Sequence, residues 1–135
     1  MKNLKWTDAL SVGIEEMDDE HKKLISLMNE LSSKCETVAP KSEIGNSLEG
    51  LVSFARKHFA AEEALMTSIH YPDLEKHRRA HADLMNRLET EEKKFRFSEK
   101  AVLDDGFFSF LQFWIRTHIQ GNDSKYGFFS NNRPD

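Results

Sequence analysis

The sequence has one cysteine, Cys35, so an internal disulfide is excluded and thiolate ligation of a metal rests on a single side chain. Its spacing from Leu31 makes it read as a small buried apolar residue. No stretch approaches the roughly 18 apolar residues of a membrane span. Residues 1–17 also lack the uninterrupted apolar region of a secretory signal, which predicts a soluble, cytoplasmic protein. Charge of one sign is not collected anywhere: 19 basic and 23 acidic residues are interspersed for a net charge of −4, excluding a nucleic-acid footprint or a polybasic membrane surface. Strand alternation, hairpin signals, internal repeats, low-complexity tracts and linkers are absent too. A chain of 135 residues buries one core, and a single domain over 1–135 is expected.

What the sequence does have is histidine where leucine belongs. Four segments carry a helical period. In the first, His21, Leu24, Met28, Leu31 and Cys35 step by threes and fours after Asp18 and Asp19, which suit a cap or first turn. In the second, Ile44, Leu48, Leu51, Ala55, His58, Glu62 and Leu65 form a heptad seam, with Ser42 placed to cap after Pro40. The third opens at Tyr71-Pro72-Asp73 and runs through Leu74, His77, His81, Leu84 and Leu88 toward Phe95. The fourth starts near Asp104 or Asp105 and places Phe107, Leu111, Trp114 and His118 on one face before Gly121 and Asn122 loosen it.

Short links between these segments predict antiparallel neighbours. The expected architecture is all-α: an up-down-up-down four-helix bundle, with an N-terminal arm around Trp6 and Val12-Gly13-Ile14 and a short C-terminal tail from Lys125 packed outside. In that order His21 lies near the start of its helix, His58 and Glu62 near the end of the next, His77 and His81 near the start of the third, and His118 near the end of the fourth. All of them then converge toward one end. Residues three and four apart share a helix face, so His58 with Glu62 and His77 with His81 can each aim both side chains at one point. Asp123 follows His118 by five.

Burying an ionised Glu62 in an apolar stripe costs several kcal/mol unless a cation offsets it, and no lysine or arginine lies on the stripes to do so. A metal resolves all these burials together. Seven candidate donors exceed one coordination sphere and point to two ions. Two octahedral ions offer roughly twelve positions. Five imidazoles, two bridging carboxylates and one solvent-derived bridge fill all but one, which suits a small diatomic ligand. Imidazole-rich sites accept iron, zinc, copper or nickel; zinc usually stops at four ligands, so the count favours iron. His70, in the turn before Tyr71, is expected at the surface.

At these residues the chain resembles the hemerythrin family, in particular its single-domain bacterial members. Trp6, Ser11-Val12-Gly13-Ile14, Met17-Asp18 and His21 are similar to the family's arm and first ligand. His58-Phe59 with Glu62-Glu63 and Met66 resembles its second motif, Tyr71-Pro72 with His77 and His81 its third, and Trp114, His118-Ile119, Asp123 and Tyr126 its fourth. The resemblance implies a non-haem diiron centre, two iron ions with an oxo or hydroxo bridge, that binds dioxygen reversibly. It assigns His77, His81 and His118 to one iron, His21 and His58 to the other, and Glu62 and Asp123 as bridges.

The open position would lie on the two-histidine iron. Both irons would move from ferrous to ferric on oxygenation, with the bridge supplying the proton, in keeping with the lack of an obvious proton donor beside the ligands. Leu24, Phe59, Trp114, Ile115 and Ile119 correspond to residues lining the oxygen pocket. The family commonly has glutamine before its first histidine, where this chain has Glu20.

Oxygen storage, transport or delivery by a monomer, with an oxygen-consuming protein as recipient, is the expected role. A free-standing oxygen or redox sensor acting through a partner is the alternative. A diiron peroxidase, oxidase or nitric oxide scavenger is a third, disfavoured because oxygen-activating diiron sites of the ferritin type are rich in carboxylate rather than histidine.

Overall fold

The computed structural model describes residues 3–132, and among them there is no strand. Four long helices follow in order: α1 (Glu15–Glu36), α2 (Lys41–Ser68), α3 (Leu74–Phe97) and α4 (Asp105–Thr117). Beyond α4 the chain stays helical through a π-helical segment, His118–Asp123, into α5 (Ser124–Asn132). The expected four-helix bundle is the observed one. Among the described residues no helix is long and apolar enough to cross a membrane.

The core runs along the stripes read from the sequence. Met28 and Leu31 of α1, Ile44, Leu48, Leu51 and Ala55 of α2, Leu84 and Leu88 of α3, and Leu111 and Ile115 of α4 are all buried, and Cys35 joins them as expected. Helix boundaries depart from expectation where proline sets the backbone. Pro40, not Ser42, is the residue before α2, because its fixed φ of −53° presets the entry and leaves Ser42 inside the first turn. Pro72 lies in the turn ahead of α3, whose boundary residue is Asp73. α4 starts where expected, and there the Asp104 carboxylate caps it by accepting from the Phe107 N–H at 2.9 Å. Asp18 sits in the first turn of α1, but its carboxylate turns back to accept from the Val12 N–H at 2.8 Å and the Ser11 hydroxyl at 2.6 Å, pinning the arm.

The C-terminal segment differs most from the expected outer tail. Tyr126 is fully buried and Gly127 is buried beside it. A Cβ at Gly127 would stand 1.9 Å from the Val12 carbonyl oxygen, so only glycine lets the arm cross α5 this closely. Asn131 then donates to the Gly13 carbonyl at 3.0 Å. Arm and last helix therefore close over the end of the bundle that holds the histidines.

Candidate metal centre

Each helix presents its polar residues at one end of the bundle. His21 comes from the second turn of α1, His58 and Glu62 from the last three turns of α2, and His77 and His81 from the first two turns of α3. His118 and Asp123 are the first and last residues of the π-helical segment. In an α-helix five residues advance about 500°, leaving the two side chains some 140° apart. In the π-helical segment the Ser124 N–H donates to the Ile119 carbonyl five residues back, and this wider turn puts residues five apart on one face. Gly121 and Asn122, expected to loosen the helix, instead lie within this widened turn.

All seven candidates are buried, at 5% exposure or less. They fall into two groups: Glu62, His77, His81, His118 and Asp123 in one, and His21, His58, Glu62 and Asp123 in the other, with the donor atoms of each within 4.8 Å of one another. Glu62 and Asp123 belong to both. Asp123 divides its oxygens between the groups: Oδ1 faces His77 Nε2 at 2.8 Å and His118 Nε2 at 3.1 Å, while Oδ2 faces His21 Nε2 at 3.1 Å. Glu62 Oε1 stands 3.2 Å from both His58 Nε2 and His81 Nε2, and Oε2 stands 3.1 Å from His21 Nε2.

The orphaned atoms show that this cradle fits cations. Nε2 of His58, His77, His81 and His118, Oε1 of Glu62 and both oxygens of Asp123 are buried with no hydrogen-bond partner, although they crowd together. Leaving such an atom unpaired costs about 1–3 kcal/mol, more for a charged group. Two cations shared between the groups would satisfy them all.

The buried imidazoles and carboxylates of the cluster shift one another's protonation. Burial pulls the His21 imidazole down, but the adjacent carboxylates of Asp123 and Glu62 outweigh it and push its pKa up to about 10. His58 is raised as well, burial being overcome by Glu62. Burial would raise Glu62, yet the neighbouring imidazoles of His21, His58 and His81 hold it well below the usual carboxylate range. Asp123 is lowered too, burial and the Glu62 charge being overcome by His118 and His21. His118 is lowered, chiefly by burial.

A second layer of partners escaped the sequence reading. His58 Nδ1 meets Glu20 Oε1 at 2.6 Å, and His81 Nδ1 meets Glu63 Oε2 at 2.9 Å. Both acids neighbour a candidate ligand in sequence, Glu20 before His21 and Glu63 after Glu62, which was the available signal. Tyr126, buried within the site, donates its hydroxyl proton in a hydrogen bond to Glu62 Oε2. Burial and the nearby carboxylates push its pKa far up, so the phenol stays protonated and serves as a fixed donor.

Of the apolar candidates, Leu24, Phe59, Ile115 and Ile119 are buried and Trp114 half-buried. Trp114 stacks on His118 with centroids 4.3 Å apart, and Phe59 stacks on His81 at 4.0 Å while standing 5.6 Å from His58. The two aromatics therefore brace the three-histidine group. His70 is exposed, as expected, and takes a left-handed φ of 56° in the turn after α2.

A histidine-rich cradle in which two acids are shared between two donor groups, set at one end of an all-α bundle, defines a candidate two-metal bundle protein. Residues 12–127 match the Hemerythrin HHE cation binding domain, and the chain belongs to the hemerythrin family. It is 31% identical to a bacteriohemerythrin of Stenotrophomonas maltophilia over 93% of this chain and 80% of the relative. Identity is also 31% to a bacteriohemerythrin of Methylococcus capsulatus, over 94% and 96% of the two chains. A wild-type hemerythrin crystal structure superposes with a TM-score of 0.86 at 29% identity, covering 93% of this chain and 96% of the other.

Proposed function

We propose that this protein binds dioxygen reversibly at a pair of irons, with His77, His81, His118, Glu62 and Asp123 around one and His21, His58, Glu62 and Asp123 around the other. The observation that carries the reading is the sharing of Glu62 and Asp123 by two otherwise separate groups of imidazoles. Iron in such a cradle supplies electrons to dioxygen and recovers them on release. The chain's own residues set the conditions. Tyr126 keeps Glu62 Oε2 oriented, and Phe59 and Trp114 hold the His81 and His118 rings in place. Leu24, Phe59, Trp114, Ile115 and Ile119 form the apolar wall that excludes water and slows loss of reduced oxygen species.

Family membership and the histidine-rich donor set support binding over catalysis. On this reading residues 1–135 form one domain that works as a cytoplasmic monomer, storing or delivering oxygen to an oxygen-consuming protein. The test is an absorption spectrum of the reduced protein before and after air, together with metal analysis. A visible band that appears with air and vanishes on deoxygenation, with two irons per chain, is expected. A single zinc per chain, or a band that never reverses, defeats the reading.

A further inference from the structure

The two donor groups are unequal. One draws on five residues and the other on four, so an ion held by His21, His58, Glu62 and Asp123 would have fewer protein donors and more room for an external ligand. Each group has one imidazole whose outward nitrogen meets a carboxylate, His58 with Glu20 and His81 with Glu63. A carboxylate in this position fixes the ring's tautomer and raises its basicity, which favours the more highly charged state of a bound metal.

Solvent does not distinguish the two acids, since Glu20 is 26% and Glu63 23% exposed. Their counter-charges do. Glu63 Oε1 accepts from Arg78 Nε at 3.0 Å, and Arg78 also holds Glu75, so the charge of Glu63 is shared with a guanidinium. Among the described residues no lysine or arginine pairs with Glu20, and its contact with the imidazole is shorter by 0.3 Å, 2.6 against 2.9 Å. The full carboxylate charge thus falls on His58. At a partly exposed position it is damped by solvent, yet a neutralised partner is damped further.

We infer that Glu20 is a positioning residue that, through His58, makes the iron of the four-residue group the easier of the two to oxidise, while Glu63, compensated by Arg78, leaves the other nearly unbiased. This rests on the diiron reading. It places the stronger electron release beside the side of the centre with room for a ligand, and it makes the identity of residue 20 a control on how tightly oxygen is held.

The experiment compares the iron-loaded full chain with Glu20→Gln and Glu63→Gln by spectroelectrochemical titration, with iron content measured in parallel. Glu20→Gln should keep two irons and lose about tenfold in its preference for ferric over ferrous ion, a rise in midpoint potential of about 59 mV for one electron. Glu63→Gln should move the potential less. A second readout needs no iron: in the zinc-loaded chain the Nδ1 proton of His58 should resonate at low field and move upfield in Glu20→Gln alone.

An unchanged potential in fully loaded Glu20→Gln overturns the inference, as does an equal or larger shift in Glu63→Gln. Loss of iron from Glu20→Gln at saturating ferrous ion also overturns it, because Glu20 would then belong to the cradle itself. If that variant does not fold, Glu20→Asp, which keeps the charge and loosens the contact, must give a smaller rise in potential, and no rise counts against the inference. A wild-type chain that takes up two irons but forms no reversible band with air defeats the oxygen reading while leaving the comparison of potentials intact.

Discussion

Tyr126 and Glu62, 64 residues apart, are joined by a hydrogen bond from the buried phenol to Oε2, the same carboxylate oxygen that faces His21. The bond ties α5 to α2 through the centre and settles which way the Glu62 carboxylate turns. Tyr126→Phe keeps the ring and removes one donor to a buried charge. We expect the metal-free variant to lose about 1.5–3 kcal/mol in urea unfolding. Iron should also leave the loaded variant some 10–100-fold faster under a chelator. Unaltered stability and iron retention would mean that the phenol is only filling space.

Glu62 serves both donor groups, whereas His70 serves neither. Glu62→Ala should therefore lose most bound iron from both positions at once rather than one iron of two, and His70→Ala should load like wild type. Because His70 holds a left-handed φ of 56°, His70→Gly should stabilise the chain by about 1 kcal/mol. Iron analysis and thermal unfolding of the three variants decide it. One remaining iron in Glu62→Ala would mean that the carboxylate is not shared.

The candidate donor set was legible because helical spacing is a strong constraint: His58 with Glu62 and His77 with His81 announce a common face, and the apolar stripes carrying them announce burial. Asp123 was legible as a donor but its geometry was not. Five residues is the wrong spacing for an α-helix, and the π-helical turn that corrects it depends on a local hydrogen-bond shift that Gly121 and Asn122 do not reveal. In the sequence Glu20 reads equally as a charge near the open iron or as a surface acid, and Glu63 only as the neighbour of Glu62, since only the packing of α1 against α2 and of α2 against α3 sets them on imidazoles of the neighbouring helix. Tyr126 lay in a stretch read as an outer tail. What buries it is the arm crossing at Gly127, a contact between residues more than a hundred positions apart.

That crossing leaves no room for a side chain. Gly127→Ala brings a methyl to 1.9 Å from the Val12 carbonyl, and backbone cannot swing aside as a flexible side chain would. Overpacking of this kind costs about 1–3 kcal/mol. Gly127→Ala should lower the melting temperature and loosen the arm, seen as faster hydrogen exchange at Val12. Gly50→Ala, where a Cβ meets nothing within 4 Å, is the matched control and should be neutral or mildly stabilising. Equal melting temperatures for the two variants would show that the arm is not held there.

The stacked rings permit a test of the apolar wall. Trp114 covers one face of His118, and Ile119 is buried next to it in sequence. Trp114→Ala and Ile119→Ala each open space that water can enter, so autoxidation of the oxygenated protein should accelerate in both. Trp114→Phe, which keeps an aromatic face on the imidazole, should fall between Trp114→Ala and wild type. Rates that match wild type in all three would reduce these residues to ordinary core.

Protons and cations compete for the same atoms, and the direction of each shift fixes how the metal-free chain responds to pH. His21, pushed up to about 10 from an ordinary value near 6.5, contributes stability that is complete below roughly pH 6.5 and disappears as pH climbs through about 10. His58, also raised, acts in the same direction. Glu62 and Asp123, both lowered, contribute above roughly pH 4.5 and lose that contribution as pH falls. His118, lowered mainly by burial, adds a penalty on the acid side as it is forced to charge. The metal-free chain should therefore be most stable near pH 6.5, at the upper edge of the window between roughly pH 4.5 and 6.5, and weaken toward pH 10. Iron held by His21 would replace its proton, so loading should release protons and remove the alkaline decline. Urea midpoints of chelated and loaded protein near pH 6 and near pH 10 measure both effects. A chelated protein equally stable at the two would show that His21 is not held as a cation between Glu62 and Asp123.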